Sequence, residues 1–271
     1  MMEGRDYHTH STMCDGKNTL EEMVLSALEK KMTVLGFSGH MDPDIHVDFP
    51  EYLKEVRRLQ AAYRDRIDLL IGLELDGVSE TLSFEGTEYI IGSTHFLQNS
   101  KGGLTPVDWS AELLADLCKD AYGGDPYRMV KAYYETESKI VEKTHCTFIG
   151  HFDLITRFND QQPFFDETDP RYMRPALECM ASLVKTGTPF EVNCGAINRG
   201  RKKDPYPNHL LLRHLHDMGG EIFLNSDAHD RDHLMAGFPQ VLELIRAAGF
   251  DHILYLKHDA LGCVVLEEQG I

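Results

Sequence analysis

Three things are scarce in this sequence, and each narrows what it does. No two of its six cysteines (14, 118, 146, 179, 194 and 263) form a C-x-x-C pair, which fits free thiols in a reducing compartment rather than a disulfide framework. No apolar run approaches the roughly 20 residues that a membrane span needs, so no membrane partner is expected. Positive charge is short: 27 basic residues face 44 acidic ones, a formal charge of −17, which argues against a nucleic-acid backbone as main partner. Met1-Met2-Glu3-Gly4-Arg5 leads straight into the first strand, so no leader is expected and the cytoplasm is the expected compartment. No internal repeat, low-complexity segment or composition break divides the chain. Its 271 residues suit one α/β domain spanning 1–271.

Hydrophobic residues make up 42% of the chain, enough for a substantial core, and histidines number fourteen. Strand and helix patterns alternate, which predicts a parallel sheet or barrel. After a first strand at 6–10, apolar strand patterns run over 33–38, 68–74, 89–95, 147–151, 189–193 and 221–225. Helical patterns cover 19–31, 51–66, 126–143, 171–185, 210–218 and 238–248, and a strand-like tail follows at 252–256. The connection from 96 to 125, with a short helix expected at 110–119, is long enough for a lid or binding loop. A second polar loop is expected over 156–169.

The strand ends carry the chemistry. His8 and His10, two apart in an extended segment, project to one face, and neutral imidazole is the commonest protein ligand for transition metals. The following strands end at His40, Glu74, His95, His151, Asn193, and Asp227 with His229. The loop after the first strand adds Asp15. Parallel α/β folds gather their functional groups at the carboxyl ends of strands. Six imidazoles clustered there would be unfavourable without something to coordinate, which points to a multinuclear metal site. Mixed imidazole and carboxylate donors suit zinc, iron or manganese. Glu74 can bridge two ions, and paired ions can stabilise both oxygens of an in-line displacement at phosphorus. Asp15, Glu74 and Asp227 bring three negative charges. Three divalent ions would leave the pocket at about +3, an anion trap within an acidic surface.

At these residues the chain resembles the polymerase-and-histidinol-phosphatase (PHP) superfamily, and within it the monofunctional histidinol-phosphatase branch. The motifs stand in the family's order: Tyr7-His8-Thr9-His10, Asp15, His40, Gly72-Leu73-Glu74, Gly92-Ser93-Thr94-His95, Gly150-His151-Phe152-Asp153 and Ser226-Asp227-Ala228-His229. The resemblance implies a distorted (β/α)7 TIM-like barrel with a trinuclear centre at the carboxyl ends of its strands. His8, His10, Glu74 and Asp227 would hold one ion. Glu74 would bridge to a second held by His95 and His151, and Asp15, His40 and His229 would hold the third. It implies hydrolysis of L-histidinol phosphate, a small-molecule phosphate ester, to L-histidinol and phosphate by a metal-activated hydroxide. Glu74, Asp227 and His229 would be the catalytic groups. It also implies phosphate contacts from Arg157 and Arg199, with Arg201 a nearby alternative, because guanidinium forks suit phosphate oxygens.

Other readings divide on particular residues. A relative acting on another phosphomonoester or a nucleotide would share the donors but differ in the 96–125 loop and the two arginines. A non-catalytic accessory domain would be expected to have lost donors, and none is lost. An amidohydrolase-type barrel would need a strand-end lysine, and none stands there. His214 and His216, two apart on a helix, do not face together and are expected at the surface. His233 is a candidate for substrate contact. His46, His145, His209, His252 and His258 lack a matching context. Asp153, beside His151, is a candidate to orient it from behind. The cysteines are expected to pack.

Overall fold

The computed structural model describes residues 3–79 and 84–271; Met1 and Met2, where the leader-free start was expected, lie outside that range. The chain opens with β1 (Gly4–Asp6), α1 (Leu20–Glu29), β2 (Met32–Met41), α2 (Phe49–Tyr63), β3 (Asp68–Asp76) and β4 (Tyr89–Ser93). Then come β5 (Phe96–Gln98), β6 (Leu104–Pro106), α3 (Ala111–Tyr122), α4 (Pro126–Glu137), α5 (Ile140–Thr144) and β7 (Phe148–Ile149). The last part holds α6 (Pro170–Val184), β8 (Phe190–Asn193), α7 (Gly195–Asn198), α8 (His209–Asp217), β9 (Ile222–Asn225), α9 (Phe238–Ala248), β10 (His252–His258) and β11 (Val264–Gly270).

Local chemistry starts the helices. Thr19 and Glu22 form a reciprocal capping box at α1, satisfying two of the amide donors that a helix start leaves orphaned. Asp48, Ser110, Asp125, Asp169 and Asn208 cap five more helices with side-chain oxygens, and proline in the first turn of α2, α4 and α6 costs no hydrogen bond there.

Seven parallel strands pair in the order β1-β2-β3-β4-β7-β8-β9. The backbone just beyond β1 meets the backbone just beyond β9: the Ala228 amide donates to the His8 carbonyl at 3.0 Å and the His10 amide to the Ala228 carbonyl at 2.8 Å. These contacts bring the first and last strands together, giving a nearly closed, distorted (β/α)7 barrel, as the resemblance implied.

The inner face follows the two-residue period of each strand. Val34, Leu70, Tyr89, Ile91, Phe148 and Phe223 form one buried cluster with Tyr7 and Leu256. Two residues further along β2 and β3 stand Gly36 and Gly72, and a Cβ on either would fall 2.4 Å or 2.1 Å from the Tyr89 side chain. Their missing side chains let the Tyr89 ring cross the barrel, where its hydroxyl lies within hydrogen-bond reach of the carbonyls of Tyr7 (2.6 Å) and Phe37 (2.9 Å). The same face continues through Ser38 to His40, through Glu74 to Asp76 and through Ser93 to His95. An apolar floor thus gives way to donors at the carboxyl rim. β10 and β11 form an antiparallel pair over the opposite end. The Tyr7 hydroxyl donates to the Leu256 carbonyl at 2.7 Å and accepts the Leu256 amide at 3.1 Å, and His258 joins Asp68 at the start of β3.

Four local expectations change. The 96–125 connection contains the β5–β6 hairpin as well as α3. The single helix expected over 126–143 is two, α4 and α5, because hydroxyls compete for its carbonyls: Thr136 Oγ1 donates to the Ala132 carbonyl and Ser138 Oγ to that of Glu135. The Lys139 amide then bonds to Thr136 three residues back, tightening the turn. The short tail strand gains β11 as a partner. The first strand ends at Asp6, and His8 and His10 follow it. Among the described residues no helix is long and apolar enough to cross a membrane.

Candidate metal centre

All nine predicted donors converge at the carboxyl rim. Four overlapping groups place candidate ligand atoms within 4.8 Å of one another: His10, Asp15, His40 and His229; His8, His10 and Asp227; His8, Glu74 and His151; His40, Glu74 and His95. Glu74, 1% exposed, is common to two of them and central to the set. Its Oε2 lies 3.1 Å from His8 Nε2, 3.5 Å from His10 Nε2 and 3.1 Å from His40 Nδ1. Its Oε1 lies 2.8 Å from His151 Nε2 and 3.3 Å from His95 Nε2. Asp227 Oδ1 stands 3.6 Å from His10 Nε2 and 3.2 Å from His229 Nδ1, and Asp15 Oδ2 lies 3.0 Å from His229 Nε2.

His151 Nε2 and Glu74 Oε1 pair at 2.8 Å, but several donor atoms are left for ions. His8 Nε2, His10 Nε2, His40 Nδ1 and Glu74 Oε2 are buried without a hydrogen-bond partner among the described residues, despite their short separations. Buried polar atoms left in that state cost free energy. Two donors each about 2.1 Å from a shared ion stand about 3.0–3.4 Å apart in octahedral or tetrahedral geometry, and the separations around Glu74 are of that size.

The electrostatics agree. Burial raises the proton affinity of Glu74, but the neighbouring His8, His40 and His95 outweigh it and hold the carboxyl well below its usual range. Burial likewise pushes His8 towards neutrality, and Glu191, Glu74 and Asp227 overcome it and hold its affinity well above the usual. Burial, followed by the neighbouring His229 and His40, keeps His10 well below the ordinary imidazole value. His229 is raised to about 9, burial being outweighed by its bonds to Asp15 and Asp227. The carboxylates demand positive charge here; without ions, protons on imidazoles meet that demand, and bound cations would displace them.

Partners behind the donors fix their orientation. His8 Nδ1 lies 2.7 Å from Glu191 Oε1, which leaves Nε2 facing Glu74. Glu191 also accepts the His151 amide at 2.9 Å and the side-chain amides of Asn193 and Asn225. Asp76 Oδ2 accepts the His95 amide at 2.7 Å and lies 3.2 Å from its Nδ1. Sequence reasoning missed both carboxylates. Asp76 could have been found two residues beyond Glu74 on the same face of β3, and Glu191 as the one charged residue inside an otherwise apolar strand. Asp153 does not orient His151: it accepts the Asn208 amide at 3.1 Å and the Tyr172 hydroxyl at 3.4 Å.

A cavity of about 350 Å³ opens over the donors and is lined also by Arg157, Arg199, Arg201, Asp108, Trp109 and Leu154. Arg199 donates to Asp227 Oδ2 at 2.8 Å and lies 3.0 Å from His229 Nδ1. Arg157 donates to Asp108 at 3.1 Å. Both predicted arginines and the alternative Arg201 therefore face the donor cluster together. His233 does not line this cavity. His214 is exposed, and His216 packs on Phe250.

Residues 6–194 match the family model of the PHP domain. The chain is similar to a Schizosaccharomyces pombe protein named "Probable histidinol-phosphatase", 27% identical over 250 residues that cover 82% of this chain and 79% of the relative. A Deinococcus radiodurans protein of the same name is 27% identical over 261 residues, covering 90% of this chain and 93% of the relative. A solved structure of the Lactococcus lactis histidinol phosphate phosphatase, complexed with zinc, L-histidinol and phosphate, matches in fold with a TM-score of 0.69 and 20% identity, covering 94% of this chain and 97% of that one.

Proposed function

This chain belongs to the PHP domain family, and we propose on that premise that it is a metal-dependent histidinol-phosphatase converting L-histidinol phosphate and water to L-histidinol and phosphate. The observation that carries the reading is the overlap of four donor groups around the buried Glu74, beneath a cavity that three guanidiniums line. Cations below and arginines above make a pocket for a phosphate ester. The names of the relatives, and the zinc, L-histidinol and phosphate held by the L. lactis protein, support the ester and the ion. We read residues 1–271 as one domain and the cytoplasm as its compartment.

For the nine donors we assign three divalent ions, drawn from zinc, iron and manganese. His8, His10, Glu74 and Asp227 would hold one; Glu74, His95 and His151 the second; Asp15, His40 and His229 the third. His10 lies within the Asp15 group as well, which suits a compact cluster. When bound, the ions supply Lewis acidity and a nucleophilic water at neutral pH. Glu74 presents one oxygen to each side of the centre. Arg157 and Arg199 hold phosphoryl oxygens and offset the charge that builds on them. Asp227 and His229, both in contact with Arg199, are the protein groups that could take the proton released by the attacking water and pass it to the leaving oxygen.

Steady-state kinetics on histidinol phosphate beside AMP, with elemental analysis of the same sample, tests the reading. It expects kcat/KM to favour histidinol phosphate by at least about 100-fold. The reverse preference would assign the chain to a nucleotide-hydrolysing branch.

A further inference from the structure

Arg157 reaches the cavity from the loop after β7, and Arg199 and Arg201 reach it from the segment after α7. Three guanidiniums facing one space repel one another. Arg201 has its proton affinity lowered by burial and then by Arg157 and Arg199. Nε of Arg157, Nε of Arg199 and Nη1 of Arg201 have no hydrogen-bond partner among the described residues. Asp108 and Asp227 offset part of this charge, and contacts between the two loops oppose the rest.

Lys202 follows Arg201 directly, and its side chain is 1% exposed. It does not line the cavity, so its charge is not spent on a ligand there. Its Nζ donates to Thr156 Oγ1 at 2.7 Å and to Glu167 Oε1 at 3.2 Å. Thr156 directly precedes Arg157, and its own hydroxyl donates to the Asp153 carbonyl at 2.8 Å. Glu167 in turn accepts Asn159 Nδ2 at 3.0 Å from the first loop and Asn208 Nδ2 at 2.8 Å from the second. One ion pair, between the buried ammonium of Lys202 and the part-buried carboxylate of Glu167, thus ties both arginine-bearing loops at their bases. A buried ion pair is weak evidence for stability but a good device for fixing one arrangement.

We propose that Lys202 is a positioning residue that locks the loop of Arg157 to the loop of Arg199 and Arg201, so that their guanidiniums act as one phosphate clamp. This rests on the phosphatase reading above. Lys202 never touches substrate, and its effect passes through the arginines.

The test is calorimetric binding of inorganic phosphate to the metal-loaded protein. Lys202→Met should weaken phosphate binding about tenfold with metal content unchanged, raising KM while kcat stays within about twofold. In an Arg157→Ala background the same substitution should add less than about twofold, because residues acting through one another are not additive. Thr156→Val removes the shortest contact of Lys202 to the other loop and should reproduce part of the loss if Lys202→Met does not fold. Equal losses in both backgrounds, or phosphate binding by Lys202→Met and Thr156→Val as tight as in the unsubstituted protein, would overturn the lock alone. An unsubstituted, metal-loaded protein that binds no phosphate would overturn the phosphatase reading and the lock with it.

Discussion

His8 Nδ1 stands 2.7 Å from Glu191 Oε1 on the buried floor of the donor cluster. That contact fixes which imidazole nitrogen carries the proton and which one faces Glu74. Removing the carboxylate while keeping its shape should therefore loosen ions without dismantling the barrel. Glu191→Gln should lower metal affinity about 10- to 100-fold, read by competition with a chromophoric chelator, while far-UV circular dichroism stays unchanged.

Arg157 and Arg199 are assigned to the phosphoryl group, so their loss should be read mainly in substrate binding. Arg157→Ala and Arg199→Ala should each raise KM for histidinol phosphate about 10- to 100-fold, the worth of a charge-assisted hydrogen bond. Arg199→Lys should recover little of this, because an ammonium cannot reproduce a planar fork already engaged with Asp227.

Glu137, fully buried at the end of α4, has its carboxyl pushed up to about 8 from an ordinary value near 4.5, mainly by burial. As pH rises, the unfolded chain gives up this proton first and the folded chain holds it. Stability is therefore lost between about pH 4.5 and pH 8. Chemical denaturation at about pH 5 and pH 9 should show the unsubstituted protein losing on the order of 3 kcal/mol more than Glu137→Gln across that window.

The Tyr7 hydroxyl bonds both backbone groups of Leu256 and so ties the carboxyl-terminal hairpin to the barrel end. Tyr7→Phe strands those two groups and should cost about 1–3 kcal/mol, seen as a lower denaturation midpoint. The donors lie at the opposite rim, so kcat should not change.

The donor set is legible in the sequence because every member except Asp15, which lies in a loop, stands at or just beyond the end of a strand, where side-chain polarity has no folding purpose. The parallel barrel is legible because strand and helix patterns alternate along most of the chain. Glu191 is harder to see: it lies inside its strand, two residues before the strand-end Asn193, where an acidic residue reads as an edge position. It faces inward only because the barrel closes around it. The split between α4 and α5 escapes periodicity because the break is made by hydroxyls of Thr136 and Ser138, which do not disturb the apolar spacing. The hairpin of β5 and β6 is three residues a side, too short for an alternating pattern to register. Lys202 reads as one of three adjacent cations, and only its burial sets it apart from Arg201 and Lys203.

The central claim is that ions gathered around Glu74 perform the hydrolysis. The measurement that tests it most directly is histidinol-phosphate turnover and metal content, taken on the same samples of the unsubstituted protein and Glu74→Gln. The account predicts divalent ions and turnover in the first, and in the second a fall in kcat of about 1,000-fold or more, the scale of losing an electrostatic centre. Near-normal turnover by Glu74→Gln with its full complement of metal would contradict it.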